Sequence, residues 1–444
     1  MKKFISVLLL MTAILAIAGC LPDDSVSSSG SELQYPEYVL ETTSRNGEYS
    51  PEIDGHEYLP IYSPDNGEYS ISPSKIAIIT LESSLTFNYH VADGWIAELA
   101  RRHGEENLII YSWPVRRHNF TPYETFDMIN EIAANPEIGV LIINPAWSGT
   151  DHIVSILREQ RDDIFVVYID YTTHETGHPQ LHDNTLSYAT NVNLILEFDR
   201  NKQVRSFPAQ ARELGATTLV YFYDTMIWYF EEYVEWEESY WHGVIREKSA
   251  EAGLLFVEYD VYGAIQCGSS YSMFLGETIP LLIEAHGTDI VFFGVDNERL
   301  FWFWQNTGFI YLPMYPNWMG VTPEHIAWML PVVDSDTRED ADYLPCLIEM
   351  VRVTLEEKNM LGRIASFAIE TSLLFPIAAA EYGVKWMNGE VPREGIDLCV
   401  LEQIMSEIIA EYTGTQLGVT LNAFAEDGLV YENYILVFPD YLVY

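Results

Sequence analysis

The sequence predicts an α/β fold made of two doubly wound, Rossmann-like lobes, each with a parallel sheet, joined by a hinge. Two observations lead to this prediction. Short runs that are apolar at nearly every position alternate with segments of helical periodicity, which is typical of parallel strands covered on both faces. The alternation breaks off after Asp170 and resumes near Asp199, so that each half has the size of an ordinary domain.

The first half contains four predicted strands and three predicted helices. The strands are Lys75–Leu81, Asn107–Trp113, Gly139–Asn144 and Ile164–Asp170. The helices run over Tyr89–His103, from Thr121 through Ile132, and over Ser148–Gln160. Gly104 predicts the end of the first helix, and Pro122 suits the first turn of the second. Thr150 or Asp151 is the expected cap of the third.

The second half repeats this rhythm after a linking segment, Ser187–Phe198. Its predicted strands are Thr217–Asp224, Leu254–Val261 and Asp289–Asp296. Its predicted helices are Asp199–Gly215, Glu235–Gly253 and Ser272–Gly287, followed by Ser366–Tyr382 and Leu398–Tyr412. Because ligands of open parallel sheets bind outside the carboxyl ends of the strands, the two halves predict a cleft between facing sheet edges.

Seven residues at or just after these strand ends are the candidate ligand contacts. They are Ser83, Trp113, Trp147 and Asp170 from the first lobe, and Asp224, Tyr262 and Asp296 from the second. Aromatic rings would stack on the ligand, and carboxylates would accept hydrogen bonds from its hydroxyl or amine groups. The alternative is that a ring such as Trp147 only closes the sheet end or packs on the other lobe.

The N-terminus predicts export and a lipid anchor. Lys2 and Lys3 precede the apolar stretch Phe4–Ala18, which is typical of a secretory signal over residues 1–19 and short for a membrane span. Small residues before Cys20 resemble the lipobox of bacterial lipoproteins, which implies that Cys20 becomes the lipidated first residue. The alternative is an ordinary signal with a chance cysteine. Residues 20–74, rich in Ser, Asp and Gly, are expected to form a flexible tether and N-terminal extension.

The charge of the chain limits its partners. The sequence has 66 acidic and 23 basic residues and a formal net charge of −43. Nucleic acid is excluded as an expected partner, because phosphate binding needs a basic surface. A cationic ligand would be favoured by this field, although salt screens charges beyond about 8–10 Å.

Three cysteines remain besides Cys20. Cys267, Cys346 and Cys399 allow one disulfide, but the sequence does not choose the pair. Their wide spacing does not match a zinc motif. We expect them to be mostly buried as small apolar side chains.

Four segments resemble the type I solute-binding proteins of bacterial ABC uptake systems and uncharacterised lipoproteins of that fold. They are IFVVYIDY (164–171), LSYATNVN (186–193), FPAQARELGATTLVYFY (207–223) and VFFGVDNERL (291–300). The resemblance implies that lobe 1 comprises residues 75–190 plus about 341–395, and lobe 2 residues 191–340 plus about 396–444. It also implies a small-molecule ligand and an ABC permease or membrane receptor as partner.

A histidine-rich loop offers a different function. His174-Glu175-Thr176-Gly177-His178 matches the H-E-x-x-H pattern of zinc proteases, in which both histidines lie on one face of a helix. Gly177 and the following Pro179 disfavour that helix, so a polar cleft loop is the preferred interpretation. If the loop binds metal, the expected ligands are three imidazoles and one carboxylate: His174, His178, His182 and Asp183.

The sequence therefore predicts a lipid-anchored extracytoplasmic protein that binds a small polar solute, without a cofactor and without enzymatic activity. The strand-to-helix turn at Ser148-Gly149 lacks the G-x-S-x-G elbow of hydrolases. A zinc hydrolase or metal-binding protein that uses the histidine loop is one alternative. A surface interaction module without a transport role is the other.

Overall fold

Strands and helices alternate through most of the chain in the computed structural model. The structure describes residues 74–80, 92–113, 115–116, 119–120, 122–146, 150–169, 191–223, 234–260, 271–294, 300, 304, 307–313, 322–330, 343–426 and 429–444. All of these residues lie in a single compact unit, Ile61–Tyr444. The sheets and helices below can therefore be related to one another.

The strands are numbered in chain order. They are β1 (Lys75–Thr80), β2 (Leu108–Ser112), β3 (Val115–Arg116), β4 (Asn119–Phe120), β5 (Ile138–Asn144), β6 (Phe165–Ile169), β7 (Leu194–Phe198), β8 (Thr218–Tyr223), β9 (Leu255–Asp260), β10 (Ile290–Phe293), β11 (Ala365–Phe367), β12 (Val419–Glu426), β13 (Leu429–Pro439) and β14 (Tyr441–Val443). The short strands β3 and β4 form a separate antiparallel pair.

The helices are α1 (Ala92–His103), α2 (Pro122–Ala134), α3 (Thr150–Gln160), α4 (Arg200–Glu213), α5 (Val234–Glu251), α6 (Tyr271–His286), α7 (Pro323–Met329), α8 (Tyr343–Glu357), α9 (Thr371–Met387) and α10 (Leu398–Thr413). Gly104, with φ +88°, follows α1, and Pro122 begins α2, as the sequence predicts. Asp199 caps α4 by accepting the Lys202 N–H, and Asp397 caps α10 in the same way.

The larger sheet has seven strands in the order β2-β1-β5-β6-β7-β13-β12. All neighbouring pairs are parallel except β12 and β13. Its strands are apolar at consecutive positions because both faces are covered. Ile76 and Ile78 face one core cluster and Ala77 and Ile79 face another, so alternate residues of β1 serve opposite faces.

The smaller sheet has three parallel strands in the order β9-β8-β10. The chain beyond β10 extends this layer, because the Ile310 N–H donates to the Ile290 carbonyl at 3.0 Å. Tyr311 and Ile364 then form a parallel bridge, and β11 pairs antiparallel with β14. The chain entering β11 therefore runs parallel to the segment around Tyr311.

The chain passes between the two layers at three described points. It leaves β7 of the larger sheet and enters α4 at Phe198-Asp199. It leaves β11 at Phe367 and enters α9, which packs on β5 and β6 of the larger sheet. It leaves β13 at Pro439 and enters β14. We call these the first, second and third crossings.

Helix α9 packs closely on the larger sheet. Gly383 makes this approach possible, because a Cβ at this position would lie 2.8 Å from a methyl group of Val140. The helix buries eleven of its residues, and the ring of Tyr382 lies 5.7 Å from that of Phe165. The amino end of α9 is thereby held at the second crossing.

The predicted fold class is confirmed: the chain has an α/β architecture with two mainly parallel, helix-covered sheets. Three local predictions differ from the structure. The linking segment Ser187–Phe198 contains β7, a strand of the larger sheet. The helix predicted over Ser366–Tyr382 begins at Thr371, because the preceding residues form β11. Residues 419–439, assigned to lobe 2 within 396–444, pair with β7 in the larger sheet, while β14 joins the smaller layer.

The prediction of buried cysteines is wrong for two of the three. Cys346 and Cys399 are exposed free thiols, whereas Cys267 lies outside the described residues. In α8 the buried positions include Leu347 and Val351, so that Cys346 falls on the outer face of the helix. The sequence identifies Cys346 as a cysteine but does not show which face of helix α8 its side chain occupies.

Candidate functional site

The carboxyl edge of the larger sheet is joined by backbone hydrogen bonds that cross from strand to strand. The Trp113 N–H donates to the Thr80 carbonyl at 2.8 Å, and the Ala146 N–H donates to the Ile169 carbonyl at 3.0 Å. The Asn144-Pro145 peptide bond is cis. The hydroxyl of Thr80 is buried and lacks a hydrogen-bond partner within the described part of the chain. Buried hydroxyls are nearly always satisfied, so Thr80 marks a point where a bound group can contribute.

Trp113 lies at this edge, as the strand-end argument predicts. Its side chain is 3% exposed, and its indole N–H donates to the Pro145 carbonyl at 3.2 Å. The ring also belongs to the core cluster that includes Ile79 and Ala146. The structure therefore places Trp113 in the wall below the edge, and its contact with a ligand stays a prediction.

The carboxyl edge of the smaller sheet contains a position that only glycine fits. Gly294 directly follows β10 and has φ +87°. A Cβ there would lie 2.0 Å from the Phe222 carbonyl oxygen, on the adjacent strand β8. Two positions later in the sequence comes Asp296, one of the candidate contacts. Asp296 itself lies outside the described residues.

A buried carboxyl group lies at the second crossing. Glu370 is 4% exposed and is the residue before α9. The Ser372 hydroxyl donates to its Oε2 at 3.0 Å. Burial raises the pKa of Glu370 to about 8, with the Ser372 hydrogen bond opposing this and the charge of Glu324 adding to it. Buried acids with a raised pKa occur often at functional sites, so Glu370 is a candidate functional residue.

Helix α7 brings a histidine against this carboxyl. His325 Nδ1 lies 4.0 Å from Glu370 Oε1 and 3.1 Å from the hydroxyl of Thr322. The side chain of His325 is 34% exposed, whereas that of Glu370 is 4% exposed, so the histidine is the more accessible of the two. Glu324, the neighbour of His325, is exposed in the first turn of α7. We call Thr322, Glu324, His325, Glu370 and Ser372 the crossing acid cluster.

The raised pKa of Glu370 makes the stability of the fold depend on pH. The pKa of about 8 in the folded chain exceeds the ordinary value of 4.5, so the folded state binds the proton more tightly. The free energy of unfolding is therefore expected to fall as the pH rises from about 5 to about 8, by up to about 4 kcal/mol. Glu370→Gln, which keeps the shape but cannot ionise, should remove this decline in urea unfolding experiments.

The matched control for this prediction is Glu402→Gln, which removes the same charge from an exposed position of α10. It should leave the pH dependence unchanged. The other titratable groups near Glu370 are Glu324 and His325, and Glu324 together with Arg352 also acts on Tyr444. An unaltered decline in Glu370→Gln would assign the effect to one of these groups instead.

Four aromatic rings meet where the three crossings come together. They are Phe198 of the first, Phe367 of the second, and Phe438 and Tyr441 of the third. Phe198 lies 5.9 Å from Phe367 and 5.7 Å from Phe438 between ring centroids. Tyr441 lies 4.7 Å from Phe367 and 5.8 Å from Phe438. This aromatic crossing cluster joins the three connections by direct contact.

The cluster is anchored at Tyr441. Its hydroxyl donates to the Pro313 carbonyl at 2.9 Å and accepts from the Gln203 side chain at 3.1 Å. Burial raises the pKa of Tyr441, so the hydroxyl stays protonated. Gln203 belongs to α4, directly after the first crossing. The ring contacts thus link all three connections, and the hydrogen bond between Gln203 and Tyr441 links the first with the third.

Most of the predicted contacts fall outside the described residues. These are Ser83, Trp147, Asp170, Asp224, Tyr262 and Asp296. In sequence they follow β1, β5, β6, β8, β9 and β10, whose carboxyl ends the structure does describe. Their roles stay predictions, as do those of His174, His178, His182 and Asp183 in the histidine loop. Cys20 is likewise outside the described range.

None of the five residues of the crossing acid cluster was predicted from the sequence. Glu370 follows β11 just as the predicted contacts follow their strands, but Ser366–Tyr382 reads as one continuous helix in the sequence. The short run Ala365–Phe367 before Glu370 was the available signal. His325 has no comparable signal, because its approach to Glu370 depends on how α7 packs beside β11.

The described residues show neither a membrane-spanning helix nor a cluster of metal-binding side chains. Among the helices that the structure describes, none is both long and apolar enough to cross a membrane. The same residues contain no group of three or more histidine, cysteine, aspartate or glutamate side chains arranged to hold a metal ion. The crossing acid cluster therefore does not converge as a metal site.

A family model described as "Protein of unknown function (DUF3798)" matches residues 75–305, just over half of the chain. The match begins at β1 and ends after β10, so it includes the carboxyl edges of both sheets. A comparison with curated proteins finds no match.

Solved structures share this architecture at low sequence identity. A protein named as a candidate transcriptional regulator from Clostridium difficile 630 has a TM-score of 0.63 and 17% identity, with 84% of this chain and 100% of that chain covered. This similarity shows the fold alone.

Two further structures carry the names of transport proteins. An ABC transporter substrate-binding protein from Desulfitobacterium hafniense in complex with Leu has a TM-score of 0.37 and 12% identity, covering 83% of this chain and 99% of that one. A sugar ABC transporter from Actinomyces odontolyticus has a TM-score of 0.36 and 14% identity, covering 74% and 88%. At TM-scores below 0.5, neither similarity identifies a ligand.

Proposed function

Because the chain belongs to the DUF3798 family, whose function is unknown, we propose its role from its fold: it captures a small polar solute between the carboxyl edges of its two sheets. The observation that supports this most is the second crossing, where a buried, ionisable Glu370 lies between a strand of one layer and a helix on the other. Parallel sheets bind ligands at this edge. Polar groups there, such as the hydroxyl of Thr80, are available for hydrogen bonds.

Binding would be coupled to movement about the crossings. In two-layer proteins of this kind, contacts of one ligand with both layers favour a closed arrangement over an open one. The aromatic crossing cluster lies where such a movement would be centred, because it joins all three connections. The candidate contacts Ser83, Trp147 and Asp170 on one side, and Asp224, Tyr262 and Asp296 on the other, would then face one ligand.

The proposed setting is the outer face of the cell membrane. The signal-like residues 1–19 and the small residues before Cys20 support export and lipidation, and the solute would pass to an ABC permease or a membrane receptor. The Ser-rich residues after Cys20 would act as a tether. Comparing the membrane fractions of the unchanged chain and of Cys20→Ala tests the anchor: equal partitioning of both would remove it from the proposal.

A screen of sugars, nucleosides, amino acids and peptides tests the binding role. A ligand at a hundred times its Kd is expected to stabilise the folded state by about 2.7 kcal/mol, which is readily seen as a rise in Tm. Small-angle scattering of the same mixture should show a smaller radius of gyration, because closure brings the layers together. A hit that stabilises without compaction would favour the surface interaction module, and a screen without any hit would contradict solute capture.

A further inference from the structure

We propose that the solute carries a positively charged nitrogen, as an amine or guanidinium group, and that Glu370 is the residue that receives it. This inference rests on the proposed function, because it assigns the chemical class of the ligand for that same cleft. It follows from the burial of Glu370, from the partners that surround it and from its place at the second crossing.

The first argument is the lack of a cationic partner. Within the described residues, no lysine or arginine nitrogen lies within 4.0 Å of the Glu370 carboxyl, and His325 at 4.0 Å is its nearest ionic contact. Elsewhere the same chain pairs its half-buried acids directly: Glu98 contacts both Arg101 and Arg102. A buried carboxylate without a cation is costly, and a cation that arrives with the ligand would remove that cost.

The second argument is the charge of the surroundings. Glu324 raises the pKa of Glu370, which shows that the two acids repel each other when both are ionised. A cation placed beside Glu370 is attracted by both carboxylates and turns this repulsion into attraction. The excess of 66 acidic over 23 basic residues adds a long-range field of the same sign.

The third argument concerns access and the kind of cation. His325 lies 4.0 Å from Oε1 with a partly exposed side chain, so a ligand nitrogen at Oε1 would take the place of this ring. Thr322 holds the ring by its Nδ1 and sets the position from which it moves. Glu324, His325 and Glu370 are not arranged to hold a metal ion together. A directional N–H donor suits a single buried carboxyl better than a metal ion does.

Binding of such a group requires Glu370 to be ionised, and this gives a distinctive pH profile. Because the pKa of Glu370 is about 8, a cationic ligand must release a proton when it binds at neutral pH. Its affinity should therefore rise by up to about tenfold per pH unit below pH 8 and level off above it. A neutral ligand that accepts a hydrogen bond from the protonated acid would show the opposite trend.

The test uses three probes of equal length and different charge: putrescine, butanediol and succinate. Calorimetric titration of the whole chain at about pH 6.5 and about pH 8.5 is expected to detect putrescine binding that strengthens by about tenfold or more at the higher pH. Butanediol and succinate should bind at least about tenfold more weakly. Glu370→Gln should lose at least about tenfold in putrescine affinity, whereas the control Glu402→Gln should change it less than about twofold.

Each other result overturns the inference. Equal binding of the three probes, no measurable heat with putrescine, an affinity that falls with pH, or an unchanged affinity in Glu370→Gln rejects a cationic ligand. The pH profile of the unchanged chain decides the matter even if a variant does not fold. A neutral sugar or amino acid that binds with compaction, and equally well to Glu370→Gln, would reject the cation while keeping the solute-binding role.

Discussion

Gly294→Ala is expected to destabilise the folded chain by at least about 3 kcal/mol, enough to reduce the yield of soluble protein. The reason is a direct steric overlap: the added Cβ would lie 2.0 Å from the Phe222 carbonyl oxygen, whereas unbonded carbon and oxygen atoms need about 3 Å. The φ of +87° adds a backbone cost for any L-residue. Relief requires β10 to separate from β8, which would break the smaller sheet at the proposed cleft.

The matched control for this prediction is Gly215→Ala. Gly215 has nearly the same φ, +93°, but a Cβ there would meet nothing within 4 Å. Its expected cost is the backbone term alone, about 1–2 kcal/mol. Urea unfolding of both variants measures the difference. If Gly294→Ala were no less stable than Gly215→Ala, the close approach of Gly294 to β8 would be incorrect.

Phe367→Ala is expected to cost about 3–5 kcal/mol, because it empties the centre of the aromatic crossing cluster. Phe367 is fully buried and contacts Phe198 of the first crossing and Tyr441 of the third. The cavity would lie between connections that come from different parts of the chain, so neighbouring strands cannot easily collapse into it. We expect the two layers to become less firmly held to each other as well as less stable.

Two variants separate these effects. Phe367→Leu keeps most of the volume and should cost less than about 1.5 kcal/mol. Phe207→Ala removes an equally buried ring that packs on Phe293 within the smaller layer, and should cost about as much as Phe367→Ala. Only Phe367→Ala should also broaden the scattering-derived distance distribution. Equal broadening in Phe207→Ala would mean that the cluster does not hold the layers.

The elements that local sequence predicted correctly share a physical feature: their signals lie within a few residues. Gly104 ends α1 because its φ of +88° is costly for other residues, and Pro122 begins α2 because its ring presets the helical φ. The apolar runs that become β1, β5 and β6 were recognised because strands covered on both faces need apolar residues at every position.

The elements that differed depend on contacts far along the chain. The run Ala365–Phe367 is a strand because β14 pairs with it from residues 441–443, and no neighbouring residue reveals this. Residues 419–439 join the larger sheet through β7, more than 200 positions earlier in the sequence. Local periodicity cannot register such pairings, since strand propensity depends strongly on tertiary context.

Local patterns were therefore sufficient for the α/β class and the parallel sheets, because apolar periodicity and turn residues act over short distances. The crossing acid cluster and the aromatic crossing cluster came only from the folded arrangement. Glu370 acquires its raised pKa from burial and from Glu324, and Phe367 acquires its neighbours from three separate crossings. Such environments are made by residues distant in sequence, and they arise only when the layers pack.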